Sequence, residues 1–426
     1  MPRLADPLPI TPRGPLDARL RVPGSKSLTN RALLVAALAD GGSRLRGPLV
    51  SDDTEVMIRS LRQLGVAIED AGDDWRVEGS GARLRRPDAP LHVGNSGTTA
   101  RFLTAAACLA DGPVLIDGDP RMRERPIADL VDALTALGGR CEILGANGCP
   151  PVRIDGGELP GGRATIDASR SSQYVSAVLL AAPYAKRDVE LELAGGRLIS
   201  RPYVELTLQV MRSFGAEAGW TDGGRLRVAS GARYAGRDYA IEPDASAAAY
   251  PFCAAAIAGG RVRVDGIPAD SIQADLGLLP LLAEMGCRVE RGRDFAEVEG
   301  PADGLRPIDV DLNDLPDASL ALAVVALFAD GPSRIRNVGS LRIKETDRLA
   351  ALETELSRLG ATARASQEDL TIEPGPLRGA EIRTYRDHRM AMAFALAGLR
   401  VPGVTIQDPG CVAKTWPGYF TTLASL

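Results

Sequence analysis

The stretch Pro243-Asp244-Ala245-Ser246, followed by the nearly all-apolar residues 247–258, decides the fold because the chain repeats it. Pro316-Asp317-Ala318-Ser319 stands 73 residues later and opens a second apolar, Ala-rich stretch. A helix that is apolar on every side has to be buried. Each copy therefore predicts the start of a helix inside a protein core.

The same pattern runs through the whole chain. Small polar clusters open six such helices, predicted at residues 25–38, 95–109, 171–182, 244–258, 317–328 and 387–399. Glycines that follow an apolar-x-x-apolar pattern recur every 71 to 77 residues, at Gly65, Gly138, Gly215, Gly286 and Gly360. Each has the position of a glycine that ends a helix in the left-handed conformation, and residues 419–426 begin a sixth copy. The chain is therefore predicted to contain six units of roughly 70 residues.

Within one unit, alternation and helical spacing predict the order β-α-β-α-β-β. The second helix is amphipathic, since Leu349, Leu352, Leu356 and Leu359 form one stripe at spacings of three and four residues. Short alternating segments such as residues 225–228 are predicted strands. Six units are too many for one core. We therefore expect an α/β (α+β) protein of two similar domains, each with three βαβαββ units around buried helices, an inverted α/β barrel with pseudo-threefold symmetry.

The composition excludes several classes of protein. With 45% hydrophobic and 25% charged residues, the 426 residues have an ordinary globular composition. Their net charge of −5 argues against a nucleic-acid partner, which would require a basic surface. The six cysteines show no metal-ligand spacing, so we expect reduced thiols and no metal. The first residues lack the apolar segment of a signal peptide, and the longest apolar run, 320–329, is too short to cross a bilayer. We expect a cytoplasmic protein with no membrane segment.

Only four of the 50 basic residues are lysines, and three of these, Lys26, Lys344 and Lys414, lie at unit openings, whereas Lys186 falls in a solvated turn. In a chain that otherwise uses arginine, a lysine indicates a need for a compact ammonium. The N-termini of buried helices add free N–H groups and the positive end of the helix dipole. If pseudo-symmetry brings these ends together, they predict a site for phosphate and carboxylate groups.

Eight sequence blocks, spread from residue 23 to residue 415, resemble the 5-enolpyruvylshikimate-3-phosphate synthase family of enolpyruvyl transferases. The most specific are Lys344-Glu345-Thr346-Asp347-Arg348-Leu349 and Asp387-His388-Arg389-Met390-Ala391-Met392. The others are residues 23–33, 94–101, 121–127, 171–174, 316–318 and 413–415. Because the blocks follow the family's order over nearly the whole chain, the chain is identified as a member of this family.

The resemblance implies transfer of the enolpyruvyl (carboxyvinyl) group of phosphoenolpyruvate to the 5-hydroxyl of shikimate 3-phosphate. The reaction passes through a tetrahedral intermediate and releases phosphate. It is a step of the pathway to chorismate and the aromatic amino acids. The resemblance implies no cofactor, and it implies two domains, residues 1–23 with 241–426 and residues 24–240, which close over an active site in the cleft between them. This plan requires no partner chain, so we expect a monomer whose partners are the two small substrates.

The resemblance also assigns site residues by position. Those for shikimate 3-phosphate are Lys26, Ser27, Arg31, Ser171, Ser172, Gln173, Ser200, Tyr203, Asp317, Ser340 and Lys344. Those for phosphoenolpyruvate are Lys26, Asn95, Gly97, Arg125, Gln173, Arg348, Arg389 and Lys414. The catalytic set is Lys26, Asp317, Glu345, His388 and Lys414.

Within the catalytic set, Asp317 is assigned as the base for the 5-hydroxyl proton, and Glu345 as the acid that protonates the methylene carbon. Two carboxylates in different electrostatic surroundings can hold opposite protonation states. Ser340 stands where the family often has Asn, and a hydroxyl can still donate to phosphate. Gly97 is expected to leave space for the small second substrate.

Three alternatives remain on the residues alone. UDP-N-acetylglucosamine enolpyruvyl transferase shares the fold and the donor, but it uses a cysteine on the loop that matches residues 118–126, where this chain has none. RNA 3′-terminal phosphate cyclase is built from similar units, but it would need a nucleotidylated histidine and a basic surface. A non-catalytic phosphate-binding protein would keep the cations but would not need both Asp317 and Glu345.

Overall fold

A computed structural model describes residues 4–70 and 72–426, which fall into two compact units. The central unit is Lys26–Ile241. The terminal unit combines the beginning of the chain, up to Ser25, with Glu242–Leu426. The chain thus leaves the terminal unit once, completes the central unit, and returns.

The elements of each unit follow the predicted order. The terminal unit begins with strands β1 (Leu8–Pro9) and β2 (Leu16–Leu20). The central unit has helices α1 (Lys26–Leu38), α2 (Asp52–Gln63), α3 (Gly97–Ala106), α4 (Ala128–Ala136), α5 (Ser172–Ala181) and α6 (Arg201–Ser213). Its strands are β3 (Gly42–Arg46), β4 (Ala67–Asp70), β5 (Asp74–Glu78), β6 (Leu91–His92), β7 (Val114–Asp117), β8 (Cys141–Ile143), β9 (Val152–Ile154), β10 (Gly162–Ala168), β11 (Val189–Leu198), β12 (Ala218–Trp220), β13 (Leu226–Val228) and β14 (Asp238–Ala240).

The rest of the terminal unit repeats this arrangement. Its helices are α7 (Ala245–Ala258), α8 (Leu278–Glu284), α9 (Ser319–Ala326), α10 (Arg348–Arg358), α11 (His388–Ala397) and α12 (Tyr419–Ser425). Its further strands are β15 (Gly260–Asp265), β16 (Arg288–Arg291), β17 (Phe295–Glu299), β18 (Asp309–Asp311), β19 (Ser333–Arg336), β20 (Thr362–Ala365), β21 (Leu370–Glu373), β22 (Glu381–Ile382) and β23 (Thr405–Ile406).

The sheets confirm the βαβαββ unit. In the sheet β6-β7-β9-β8, the first two strands are parallel, as a crossover through α3 requires, and the remaining pairs are antiparallel. The sheets β14-β3-β5-β4, β10-β11-β13-β12, β2-β15-β17-β16 and β18-β19-β21-β20 have the same pattern, and the sixth sheet is β1-β23-β22. The mixed α/β class and the repeated units are thus as predicted.

The first helix of every repeat is buried on all sides, as expected. Helices α1, α3 and α5 lie in the core of the central unit, and α7, α9 and α11 lie in the core of the terminal unit. The second helices are amphipathic, and all four leucines of the stripe that begins at Leu349 are buried. The five spaced glycines have φ values from 88° to 110°, the left-handed conformation that ends a helix. Within the described residues, no helix has both the length and the apolar character that a membrane crossing needs.

Candidate active site

The site in the terminal unit is organised around the guanidinium of Arg348, whose side chain is 1% exposed. Its Nε and Nη2 donate to the two carboxylate oxygens of Asp387 at 2.6 and 3.1 Å. Its Nη1 donates to Oδ1 of Asp317 at 2.9 Å, and its Nη2 lies 3.0 Å from Oε2 of Glu345. A buried charge is tolerated when it is paired and hydrogen-bonded. One arginine, the first residue of α10, therefore holds three carboxylates together.

Two further cations contact the same carboxylates. Nη2 of Arg389 lies 3.0 Å from Oδ2 of Asp317, and Nζ of Lys414 donates to Oε1 of Glu345 at 2.9 Å. The two predicted acid–base residues, Asp317 and Glu345, are therefore both bound between two cations. The structure brings together the predicted residues of the 3₁₀ segments Pro316–Ala318 and Pro409–Lys414 and of helices α10 and α11, with Glu345 just before α10.

The cations control the ionisation of Asp317. Burial opposes its charged form, but Arg389, Lys344 and Arg348 outweigh burial and hold the pKa of this carboxyl well below its usual range. Asp317 is also not the helix cap that its position suggests. It lies in the 3₁₀ turn Pro316–Ala318, and its oxygens bind guanidinium groups, so a structural capping role does not explain it.

Asp387 has two structural tasks. Its Oδ1 accepts from the backbone N–H of Arg389 at 2.9 Å and caps α11, while both oxygens bind Arg348. The neighbouring His388 is buried, with Nδ1 3.5 Å from Oδ1 of Asp387. Asp387 thereby couples the start of α11 to the start of α10.

Three buried hydroxyls lie close in sequence to the residues of this network. The side-chain oxygens of Ser319, Ser340 and Thr415 have no hydrogen-bond partner within residues 4–70 and 72–426. An unsatisfied buried hydroxyl is costly, and a phosphate or carboxylate ligand would satisfy it. Ser340 is one of the predicted phosphate ligands, and it lies in the 3₁₀ segment Gly339–Ile343 that leads to Lys344.

In the central unit, the predicted phosphoenolpyruvate residues Asn95, Gly97 and Arg125 form one cluster. Nη1 of the buried Arg125 donates to the backbone and side-chain oxygens of Asn95 at 3.1 and 3.0 Å. A Cβ atom added at Gly97 would lie 2.5 Å from Nη2 of Arg125. Gly97 is expected to leave space for a substrate. The structure shows that its missing side chain also leaves space for the guanidinium of Arg125.

Arg31 lies in a second, buried cluster with two other predicted residues. Its guanidinium donates to Oγ1 of Thr207 at 2.7 Å, to the carbonyl of Ser27 at 3.0 Å and to the carbonyl of Tyr203 at 3.1 Å. Burial lowers the pKa of Arg31 to about 10, which keeps it charged at neutral pH. Arg31 therefore joins α1 to α6 through neutral oxygens.

The remaining predicted residues of the central unit lie at helix starts. Ser171 caps α5 by accepting from the N–H of Gln173 at 3.2 Å, and Nε2 of Gln173 donates to Oγ1 of Thr98 at 3.3 Å. This bond ties the start of α5 to the start of α3. Lys26 and Ser172 are first residues of α1 and α5, and Ser200, with φ 51°, precedes α6.

Sequence reasoning did not assign three members of these clusters, Asp387, Thr98 and Thr207, to the site. Asp387 was visible as the third acidic helix opening after Asp244 and Asp317. Its bond to Arg348, 39 positions away, could not be read from that pattern. Among the described residues, no group of three or more His, Cys, Asp or Glu side chains could hold a metal ion.

Comparison with known proteins gives concordant matches. The family model for EPSP synthase (3-phosphoshikimate 1-carboxyvinyltransferase) matches residues 10–423. The 3-phosphoshikimate 1-carboxyvinyltransferase of Trichormus variabilis is 46% identical over 409 residues, with 96% of each chain covered. That of Thiobacillus denitrificans is 45% identical over 424 residues, covering 98% of this chain and 99% of the relative.

A solved structure is similar over nearly the same length. EPSP synthase from Acinetobacter baumannii has a TM-score of 0.80 at 27% identity and covers 98% of this chain and 97% of its own. The enolpyruvyl transferase NikO from Streptomyces tendae, at 20% identity and a TM-score of 0.79, shows the same fold.

Proposed function

The chain belongs to the EPSP synthase family, and from this premise we propose how its residues transfer the enolpyruvyl group of phosphoenolpyruvate to the 5-hydroxyl of shikimate 3-phosphate. The chain is an enzyme of the shikimate pathway, and the alternative assignment as a UDP-N-acetylglucosamine enolpyruvyl transferase is not favoured. What we propose is the role of each side chain in this reaction. The observation that carries it is the single guanidinium, Arg348, that binds Asp317, Glu345 and Asp387 together.

Glu345 is the proposed acid of the addition step. It delivers a proton to the methylene carbon of phosphoenolpyruvate while the 5-hydroxyl oxygen bonds to C2. The ammonium of Lys414, which donates to Glu345 at 2.9 Å, is the adjacent proton source. Arg348, on the other oxygen of Glu345, stabilises the carboxylate that remains.

Asp317 is the proposed base that takes the proton of the 5-hydroxyl. With Arg348, Arg389 and Lys344 facing it, its lowered pKa makes it a weak base. The phosphate and carboxylate groups of the substrates compete for those same cations. We therefore expect substrate binding to raise the pKa of Asp317 towards its usual value, so that the base becomes effective once the substrates are bound.

Two anionic substrates explain the distribution of binding residues. For phosphoenolpyruvate we propose Arg125, Asn95 and Gly97 in the central unit and Arg348, Arg389 and Lys414 in the terminal unit, with Lys26 and Gln173. For shikimate 3-phosphate we propose Ser27, Arg31, Ser171, Ser172, Gln173, Ser200 and Tyr203, with Lys26, Asp317, Ser340 and Lys344. The unsatisfied hydroxyl of Ser340 supports its assignment to a phosphate. His388 is proposed to support the site from its buried position beside Asp387.

The test is phosphate release from purified protein mixed with both substrates. We expect release to require phosphoenolpyruvate and shikimate 3-phosphate together. Glu345→Gln should reduce kcat by at least about a hundredfold, the usual contribution of a general acid, while shikimate 3-phosphate still binds. Glu353→Gln, the same change on the following helix, should leave kcat unchanged. A wild-type rate in Glu345→Gln would remove this residue from the mechanism.

The cellular location and the assembly of the protein are also proposals. We propose a monomer, because the substrate residues named above all belong to one chain, and a cytoplasmic location, because the family is one of biosynthetic enzymes. Light scattering at the concentration of the assay tests the monomer, and cell fractionation tests the location. A dimeric mass under assay conditions would overturn the first proposal.

A further inference from the structure

The turn that leads into α11 has a strained backbone. The N–H of Asp387 donates to the carbonyl of Thr384 at 2.8 Å, and the two residues between them, Tyr385 and Arg386, have φ values of 54° and 56°. Two successive residues of positive φ closed by this hydrogen bond make a type I′ turn, which favours Asn-Gly. A bulky side chain is strained in the left-handed region, because its Cβ atom crowds the backbone. The turn needs support from elsewhere.

That support comes from Glu355, whose side chain is completely buried. Its Oε1 accepts from the hydroxyl of Tyr385 at 2.7 Å. Its Oε2 accepts from the backbone N–H of Arg383 at 3.3 Å and from Nε of Arg358 at 3.0 Å. One carboxylate thus holds the segment just before the turn and the first left-handed residue within it.

Helix α10 connects this carboxylate to the active-site network. Arg348 begins α10, and Glu355 lies two turns later on the same face. Arg348 binds Asp387 at the end of the turn, while Glu355 binds Tyr385 inside it. The same helix therefore grips the turn at two points, and Arg389, which contacts Asp317, follows directly.

We propose that Glu355 and Tyr385 are positioning residues that hold the Thr384–Asp387 turn, and through it Asp387 and Arg389, in the arrangement that binds phosphoenolpyruvate. This inference rests on the proposed assignment of Arg389 and Arg348 to that substrate. Neither Glu355 nor Tyr385 belongs to the substrate-binding set. They act through the backbone that presents it.

The hydroxyl of Tyr385 has a role that core packing does not explain. The side chain is 37% exposed, so the ring adds little to the core, yet its hydroxyl reaches a carboxylate that is fully buried. Burial and the neighbouring Glu355 raise the pKa of Tyr385 to about 12. The phenol therefore stays protonated and remains a donor throughout the physiological pH range.

The test uses the full chain with Tyr385→Phe, which removes only the donor. Losing a hydrogen bond to a charged group costs about 1.5 kcal/mol or more, so we expect KM for phosphoenolpyruvate to rise about tenfold. The KM for shikimate 3-phosphate and kcat should change much less. Arg358→Gln, which removes another partner of the same carboxylate but leaves Tyr385 bound, is the matched control and should keep a near-normal KM.

A rescue variant separates positioning from general stability. Arg386 is exposed, and glycine accepts positive φ without strain. Adding Arg386→Gly to Tyr385→Phe should therefore restore part of the lost affinity for phosphoenolpyruvate. Tyr234→Phe, which removes a buried tyrosine hydrogen bond to the carbonyl of Leu180 in the central unit, should lower the thermal midpoint without changing this KM.

Two kinetic outcomes would overturn the proposal. One is an unchanged KM for phosphoenolpyruvate in Tyr385→Phe. The other is a rise that Tyr234→Phe reproduces and Arg386→Gly does not relieve. Hydrogen exchange gives a readout that is independent of activity, since the amides of Asp387 and Arg389 should exchange faster in Tyr385→Phe. Unchanged exchange of these amides would refute the positioning role, whether or not the wild-type protein releases phosphate. Absence of phosphate release from the wild-type protein would refute the proposed function instead.

Discussion

The two units hold their buried arginines in opposite ways. In the terminal unit, Arg348 binds three carboxylates, which together outweigh its burial and raise its pKa. In the central unit, Arg31 donates to hydroxyl and carbonyl oxygens, and Arg101 donates to the carbonyls of Gly97 and Pro126. Burial lowers the pKa of both to about 10. The terminal unit balances its charges internally, whereas the central unit keeps an uncompensated positive charge that favours anionic ligands.

The largest effect expected from this difference is on stability. Arg348→Met leaves the buried Asp387 and the partly buried Glu345 and Asp317 without their shared cation, and breaking a buried ion pair costs about 3–5 kcal/mol. Arg31→Met should cost much less, because it removes a desolvated charge and strands no carboxylate. The hydroxyls of Thr207 and Ser176 remain bonded to each other at 2.8 Å. Urea unfolding of both variants makes the comparison, and equal losses would contradict the contrast between the units.

Lowering the pH should reduce the free energy of unfolding by protonating Asp317. Its pKa is about 3.9 in an unfolded chain and well below that in the folded protein. Its ionised form therefore stabilises the fold fully above about pH 4, and this contribution is lost as the pH falls towards the folded pKa. Each unit of difference in pKa is worth about 1.4 kcal/mol. Between pH 6 and pH 2, the free energy of unfolding should fall more steeply in the wild type than in Asp317→Asn. Parallel curves of this free energy against pH would refute the prediction.

In the central unit, the effect to expect is on binding. Gly97→Ala places a Cβ atom 2.5 Å from Nη2 of Arg125, so the guanidinium has to move. Gly97 begins α3, where alanine is the better helix former, and this gain offsets part of the cost in the free energy of unfolding that comes from moving the guanidinium. We expect KM for phosphoenolpyruvate to rise by about tenfold, as for a displaced charge-assisted hydrogen bond. Gly223→Ala, which meets only ordinary contacts in the same unit, should leave KM unchanged.

The fold was predictable because its determinants are local and repeated. Apolar helices, amphipathic stripes and terminating glycines each leave a pattern within about 15 residues, and six copies at one period reinforce each other. The buried helix at Asp244–Ala258 and the glycine at Gly65 needed no knowledge of the rest of the chain. Repetition made the order of elements clear before any contact was known.

The sequence allowed candidate site residues to be proposed, but it did not allow the bonds between them to be predicted. The pairing of Arg348 with Asp387, and of Glu355 with Tyr385, joins residues 39 and 30 positions apart. Such pairings depend on how helices pack, and no spacing within one segment encodes them. The left-handed backbone at Tyr385 and Arg386 was hidden for the same reason, since neither residue is a type that favours it. Tertiary contacts override local preference at these positions.

The smallest effect concerns the fourth lysine. Lys186 forms an ion pair with Glu158 in which the two side chains are 62% and 57% exposed, so water screens it. Lys186→Arg should leave kcat unchanged and alter the free energy of unfolding by less than about 0.5 kcal/mol. Lys414→Arg makes the same substitution where an ammonium, 14% exposed, donates to Glu345. A guanidinium there is larger, planar and unable to give up its proton, so kcat should fall. If both variants kept the wild-type rate, the scarcity of lysine would carry no information about the site, and the contrast between a screened pair and a buried one would lose its functional meaning.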